Sequence, residues 1–121
     1  MPPRAAANPW SPSCPSRAVV DLLASRWVML LLPLMREGPK RNGDLMRGAA
    51  GISQKMLTQT LRDLETHGLV DRIDHHEVPP RVEYALTPLG ESLAKLVRRL
   101  DDWVIENWDQ IQRNCRKHAN A

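Results

Sequence analysis

From Leu89 to Ile111 the chain carries apolar side chains at Leu89, Leu93, Leu96, Leu100, Trp103, Val104, Trp108 and Ile111. That spacing is one stripe of an amphipathic helix about seven turns long. Thr87 and Pro88 open it, a capping hydroxyl followed by the residue best suited to a first helical position. The chain has 121 residues, enough for one domain with a single modest core. A stripe this long exceeds what such a core needs. It predicts a helix partly covered by a second subunit, with Leu93, Leu96, Leu100, Trp103 and Val104 as dimerisation contacts. The alternative is a helix lying along its own domain.

A second amphipathic segment, "GISQKMLTQTLRDLETHGLV" over residues 51–70, has stronger punctuation. Leu57, Leu61 and Leu64 form its apolar face. Ser53 is the expected N-cap, with Ile52 placed to staple onto Leu57. Gly68 suits the left-handed position after His67, and Leu69 can then pack on Leu64 in a Schellman ending. The other face holds Gln54, Lys55, Thr58, Gln59 and Arg62, with no acid before Asp63. A solvated helix face usually mixes both signs of charge, so this one is either bland or built to meet an anion.

Charge distribution favours the second reading. The whole chain has 17 Lys and Arg against 14 Asp and Glu, a net charge of only +3. Residues 36, 40, 41, 47, 55 and 62 are nevertheless all cationic, against only Glu37 and Asp44 in the same stretch.

The remaining segments fill in the plan. "PSRAVVDLLAS" reads as a first helix with Pro15 at its start. "RWVMLLLPLMRE" reads as a second, capped by Ser25 and stopped by Gly38 and Pro39. Pro33 inside it predicts a kink or an early break. Asn42 is the expected cap of a short third helix. "LVDRID" and "RVEYALT" read as two strands, with Val82, Tyr84 and Leu86 inward and Glu83 outward. "HHEVPP" between them is a protruding loop.

Residues 1–13, rich in Pro, Ala and Ser, read as a disordered tail, 14–112 as the domain, and 113–121 as a C-terminal tail. "VMLLLPLM" is too short to span a bilayer and no signal-type run is present, so a cytoplasmic protein without membrane contact is expected. Cys14 and Cys115, near opposite ends, imply no disulfide framework. Adjacent His75 and His76 point to opposite faces of a strand and lack a third ligand, so no metal site is expected. No nucleophile elbow, phosphate-binding glycine loop or paired-carboxylate motif is present, which predicts neither an enzyme nor a cofactor.

Three short helices, the capped fourth, a hairpin and a long helix make a mainly α chain with a small β-hairpin. That is the plan of a winged helix-turn-helix with a long C-terminal dimerisation helix. In it "RGAAGIS" is the turn and residues 53–67 the recognition helix. Ser53, Gln54, Lys55, Thr58, Gln59 and Arg62 would then face double-stranded DNA. Arg81 either pairs with Glu83 at the strand end or reaches the minor groove from the wing.

"CPSRAVVDLLASRW", "GISQKMLTQTLRDLETHGLVDR", "EVPPRVEYALTPLG" and Trp103 together resemble the HxlR-type winged helix-turn-helix transcriptional regulators of bacteria. The resemblance runs from Cys14 to about Trp108. It departs from the usual family pattern at Asn42, Pro33, Ala24 and Ser25, all off the proposed DNA face. It implies a homodimeric regulator of transcription that binds operator DNA, in some members with a redox or electrophile response. Cys14 is the sensing candidate here. It matches the sensing position of some members and stands at a helix start, where unpaired N–H groups favour a thiolate. The resemblance thus leaves room for an oxidant or small-molecule effector. A winged-helix module that binds protein rather than specific DNA is the alternative.

Overall fold

The computed structural model describes residues 6–119. Helices α1 (Pro15–Leu23), α2 (Arg26–Arg36), α3 (Asn42–Gly48) and α4 (Gln54–Thr66) come first. Strands β1 (Val70–Asp74) and β2 (Val82–Leu86) follow, and α5 (Pro88–Ala119) closes the chain. The strands pair antiparallel from Val70 opposite Leu86 to Asp74 opposite Val82. Lys40 exchanges two backbone hydrogen bonds with Tyr84, of 2.9 and 2.8 Å, and so adds one rung to the other edge of β2. This is the winged helix-turn-helix the element order predicts.

With no Phe in the sequence, the core is aliphatic. Val28, Leu31, Leu32 and Met35 of α2 sit at its centre. Around them pack Leu45, Leu57, Leu61, Leu64, Val70, Ala94 and Val97. Each fully buried Leu or Val contributes roughly 1.5–3 kcal/mol. This explains why α2 does not end early at Pro33. Leu31 and Leu32 before it and Met35 beyond it are all buried, and together they outweigh the roughly 3 kcal/mol that an interior proline costs.

Several expectations meet a different local solution. Asn42 is the first helical residue of α3, not its cap. Arg41 holds the cap position, and its N–H donates to Asp44 Oδ2 at 3.0 Å. Ser25 stands at the start of α2 but its hydroxyl caps nothing. Part of the expected N-terminal tail is turned: Ser11 N–H donates to the Asn8 carbonyl and Cys14 N–H to that of Ser11, both at 3.1 Å. Residues 1–5 lie outside the described residues. At the other end α5 does not stop at residue 112 but runs on to Ala119. Arg113, Arg116 and Lys117 are good helix formers, and cations suit a helix C-terminus. No single helix among the described residues is long and apolar enough to cross a membrane.

Candidate nucleic-acid interface

The recognition helix is fixed at both ends. Ser53 Oγ accepts from Met56 N–H at 3.1 Å. At the far end Gly68 adopts φ +72. Its N–H donates to the Glu65 carbonyl at 3.0 Å, and Leu69 N–H to that of Leu64 at 2.9 Å, the two bonds of a Schellman ending. Leu57, Leu61 and Leu64 are buried, as is Ile52 ahead of the cap. Thr60, invisible to the leucine pattern, is buried with them and returns its hydroxyl to the Met56 carbonyl at 2.7 Å.

Ser53, Gln54, Lys55, Thr58, Gln59 and Arg62 are all exposed. Lys55, Thr58, Gln59 and Arg62, spaced three, four and seven apart, lie on one side of the helix. Gln54 donates to Thr58 Oγ1 and Gln59 to Asp63 Oδ1, both at 3.0 Å. These amides are exposed and can exchange one partner for another at little cost. The cations sort in a telling way. Arg36 pairs with Glu91, Lys40 with Glu37 and Arg47 with Asp44. Arg41, Lys55 and Arg62 make no ion pair among the described residues. The unneutralised part of the basic stretch therefore includes both cations of the α4 polar face.

The wing has a different character. Arg81 Nη2 donates to Glu83 Oε1 at 2.9 Å, and Arg81 Nη1 lies 3.6 Å from Glu77 Oε1. His75 Nε2 sits 2.6 Å from the same Glu83 oxygen. Glu83 was expected to point into solvent, yet its side chain is only 17% exposed because His75 and Arg81 close over it. Burial pushes its carboxyl up, but these two neighbours outweigh that and hold it below the usual carboxylate range. Of the two roles read for Arg81, the structure displays the pairing with Glu83. His76 turns away with φ +54. No group of three metal-ligating side chains occurs among the described residues.

The sequence profile of the HxlR-like helix-turn-helix family matches residues 22–112. The chain belongs to the HxlR-like helix-turn-helix family. It is 45% identical over 104 residues to the uncharacterized HTH-type transcriptional regulator YtfH of Escherichia coli (strain K12), covering 86% of this chain and 82% of that protein. The solved structure of a transcriptional regulator, ytfH, from Salmonella typhimurium superposes with a TM-score of 0.84 at 41% identity, over 92% of this chain and 99% of that one. The redox regulator HypR in its reduced form gives a TM-score of 0.74 at 36% identity, over 82% and 98%. These relatives are described as transcriptional or redox regulators.

Two further features of this HxlR-like chain bear on function. Toward its own domain α5 buries only Gly90, Ala94 and Val97. Gly90 lies so close to the Leu69 carbonyl that a Cβ would collide with it. These residues between the leucines, with Leu93 packed beside them, carry the core contact, a role the apolar stripe did not reveal. Of the proposed dimer contacts Leu93 is half-buried, while Leu96 is 58%, Leu100 48%, Trp103 55% and Val104 40% exposed. Val19 and Leu23 of α1 extend this surface into an apolar groove with Leu89, Leu93 and Leu96. Cys14 immediately precedes α1, partly exposed and free. The Ser16 hydroxyl 3.1 Å away, then the N–H groups of Asn8 and Ser16, lower its thiol pKa. Cys115 is free and exposed near the end of α5.

Proposed function

We propose that two copies of this chain pair through the exposed face of α5, joined by α1, and bind operator DNA as a two-fold homodimer in the cytoplasm. Each α4 enters a major groove, with half-site centres about 10 bp apart or a near multiple. Gln54, Thr58 and Gln59 reach base edges. Lys55 and Arg62 meet phosphate or guanine, and Ser53 approaches the backbone at the helix start. Arg81 reaches toward the minor groove once DNA draws it from Glu83. The observation that carries this reading is the division of α4: its apolar stripe is buried in its own chain, and its two cations are left unpaired. A protein-interaction module would need no such unneutralised face.

The test is fluorescence anisotropy on duplexes selected from a random pool, at several salt concentrations. Wild type should bind with a steep salt dependence. Lys55→Ala and Arg62→Ala should each weaken binding and flatten that dependence for a phosphate contact, or relax preference at one base pair by roughly 1–3 kcal/mol for a base contact. Unchanged binding in both variants would remove the assignment.

The same dimer responds to oxidants or electrophiles through Cys14. Its lowered thiol pKa and partial exposure support this, and the relative HypR is described as a redox regulator. Diamide should change operator affinity in wild type and not in Cys14→Ser; equal responses return Cys14 to a packing role.

A further inference from the structure

Between β1 and α4 lies a cleft of about 380 Å3 lined by Thr58, Leu61, Arg62, Glu65, Arg72 and Tyr84. Arg72 sits mid-strand, directly opposite Tyr84 in the antiparallel register, so the two side chains share one face of the hairpin. Thr58, Arg62 and Glu65, spaced four and three apart, supply the α4 wall. Arg62 and Arg72 come from different elements and both are exposed. Neither makes an ion pair among the described residues.

The acids nearby form no ion pair with them, although Asp74 feels the charge of Arg72. Glu65 lines the cleft one turn beyond Arg62 without pairing with either guanidinium. Asp74, two residues along the same strand face as Arg72, is engaged instead by the His76 N–H at 2.8 Å. Two guanidiniums facing one cleft repel each other, and an anion between them relieves that repulsion. The planar donor fork of arginine suits phosphate oxygens, and the hydroxyls of Thr58 and Tyr84 add neutral donors.

We infer that this cleft takes one backbone phosphate of the bound DNA, with Arg72 and Arg62 as its two cationic walls. The inference rests on the reading that α4 enters the major groove. In that pose the wing tip lies toward the neighbouring minor groove, and the sugar-phosphate strand separating the two grooves passes over the hairpin base, where the cleft opens. Arg72 is thus a positioning contact that sets how deep and at what angle α4 sits, not a reader of sequence.

The experiment measures operator affinity against salt for wild type, Arg72→Gln, Arg72→Lys, Arg62→Gln and the double variant Arg62→Gln/Arg72→Gln. Each fold is checked by circular dichroism. Arg72→Gln should lose roughly five- to tenfold in affinity near 0.1 M salt, equally across operator variants, with the salt slope reduced by about one. Arg72→Lys should recover most of the slope, which also answers for a glutamine variant that folds poorly. The double variant should lose less than the sum of its singles, because both side chains serve one phosphate. A duplex with a neutral methylphosphonate at that phosphate should bind wild type as weakly as the normal duplex binds the double variant.

An Arg72→Gln protein with wild-type affinity and slope overturns the inference while leaving the DNA reading intact. So does a loss confined to one base pair, which would make Arg72 a base contact. Arg72-dependent binding of inorganic phosphate by the DNA-free protein overturns it in favour of a small-anion site. Failure of wild type to bind any selected duplex overturns the DNA reading and this inference together.

Discussion

Helices α4 and α5 carry the same kind of apolar stripe and use it in opposite ways. In α4 the leucines are the buried residues: Leu57 and Leu64 are 0% exposed. In α5 the small residues Gly90, Ala94 and Val97 go inward, and Leu96, Leu100 and Trp103 are left outside. The two ends of α4 are closed by its own chain within 13 residues, whereas α5 runs 32 residues, about 48 Å, past a domain that uses only its first turns. Periodicity therefore identifies a face but not its partner. A helix short enough to be covered by its own domain buries its large residues there. One that outruns the domain leaves them exposed.

Substitutions can break that contrast. The largest effect should come from Leu64→Ala, which opens a void in the core and should cost roughly 2–5 kcal/mol in urea unfolding. Trp103→Ala should leave the monomer fold nearly unchanged but weaken the dimer by about 2 kcal/mol or more, read by analytical ultracentrifugation. If Trp103→Ala destabilised the monomer as much as Leu64→Ala did, the difference between the helices would vanish. Gly90→Ala sharpens the inward half of α5. With the Leu69 carbonyl against it, the methyl should cost about 1–3 kcal/mol, although alanine is the better helix former.

The smallest effect concerns the wing. The Glu83 carboxyl is held below the usual carboxylate range in the folded state. Its contribution is therefore present above the unfolded-state value near 4 and is lost as pH falls through the lower folded value. Thermal melts should show wild type losing stability below about pH 4 more steeply than Glu83→Gln. Equal slopes would mean the His75–Glu83–Arg81 contacts contribute nothing to folding.

Much of this was legible in the chain. Ser53 and Gly68 bracket α4 with residues that act locally, so cap and Schellman bonds could be placed from neighbours alone. Pro15 and the Thr87–Pro88 pair mark helix starts for the same reason. What escaped depended on distant partners. Of the kink or early break read at Pro33, the break is prevented by the burial around it. Asn42 cedes its capping role to Arg41 and Asp44, since a carboxylate three residues on can serve the N–H that an asparagine cap would leave free. Alternation places Glu83 on the outer face but cannot anticipate a histidine eight residues away closing over it. Arg72, on a strand read only for its apolar residues, drew no notice until the hairpin was folded against α4. The candidate DNA face of α4 was readable because all its members lie on one helix. The cleft beside it was not, because it is shared between two elements.

The joint between α4 and α5 has a mechanical consequence. Thr87 Oγ1 donates to the Gly68 carbonyl at 2.6 Å and accepts from Gly90 N–H at 3.0 Å, while Thr87 N–H holds the Leu69 carbonyl at 3.1 Å. One residue thus rivets the end of α4 to the start of α5, with Gly90 admitting no slack beneath it. In the proposed dimer α5 then works as a ruler: the angle at which two copies cross fixes the distance between their α4 helices. A half-turn of chemistry near α1 that tilted this crossing would change the pitch of DNA the pair can measure, without touching a single residue that meets the duplex.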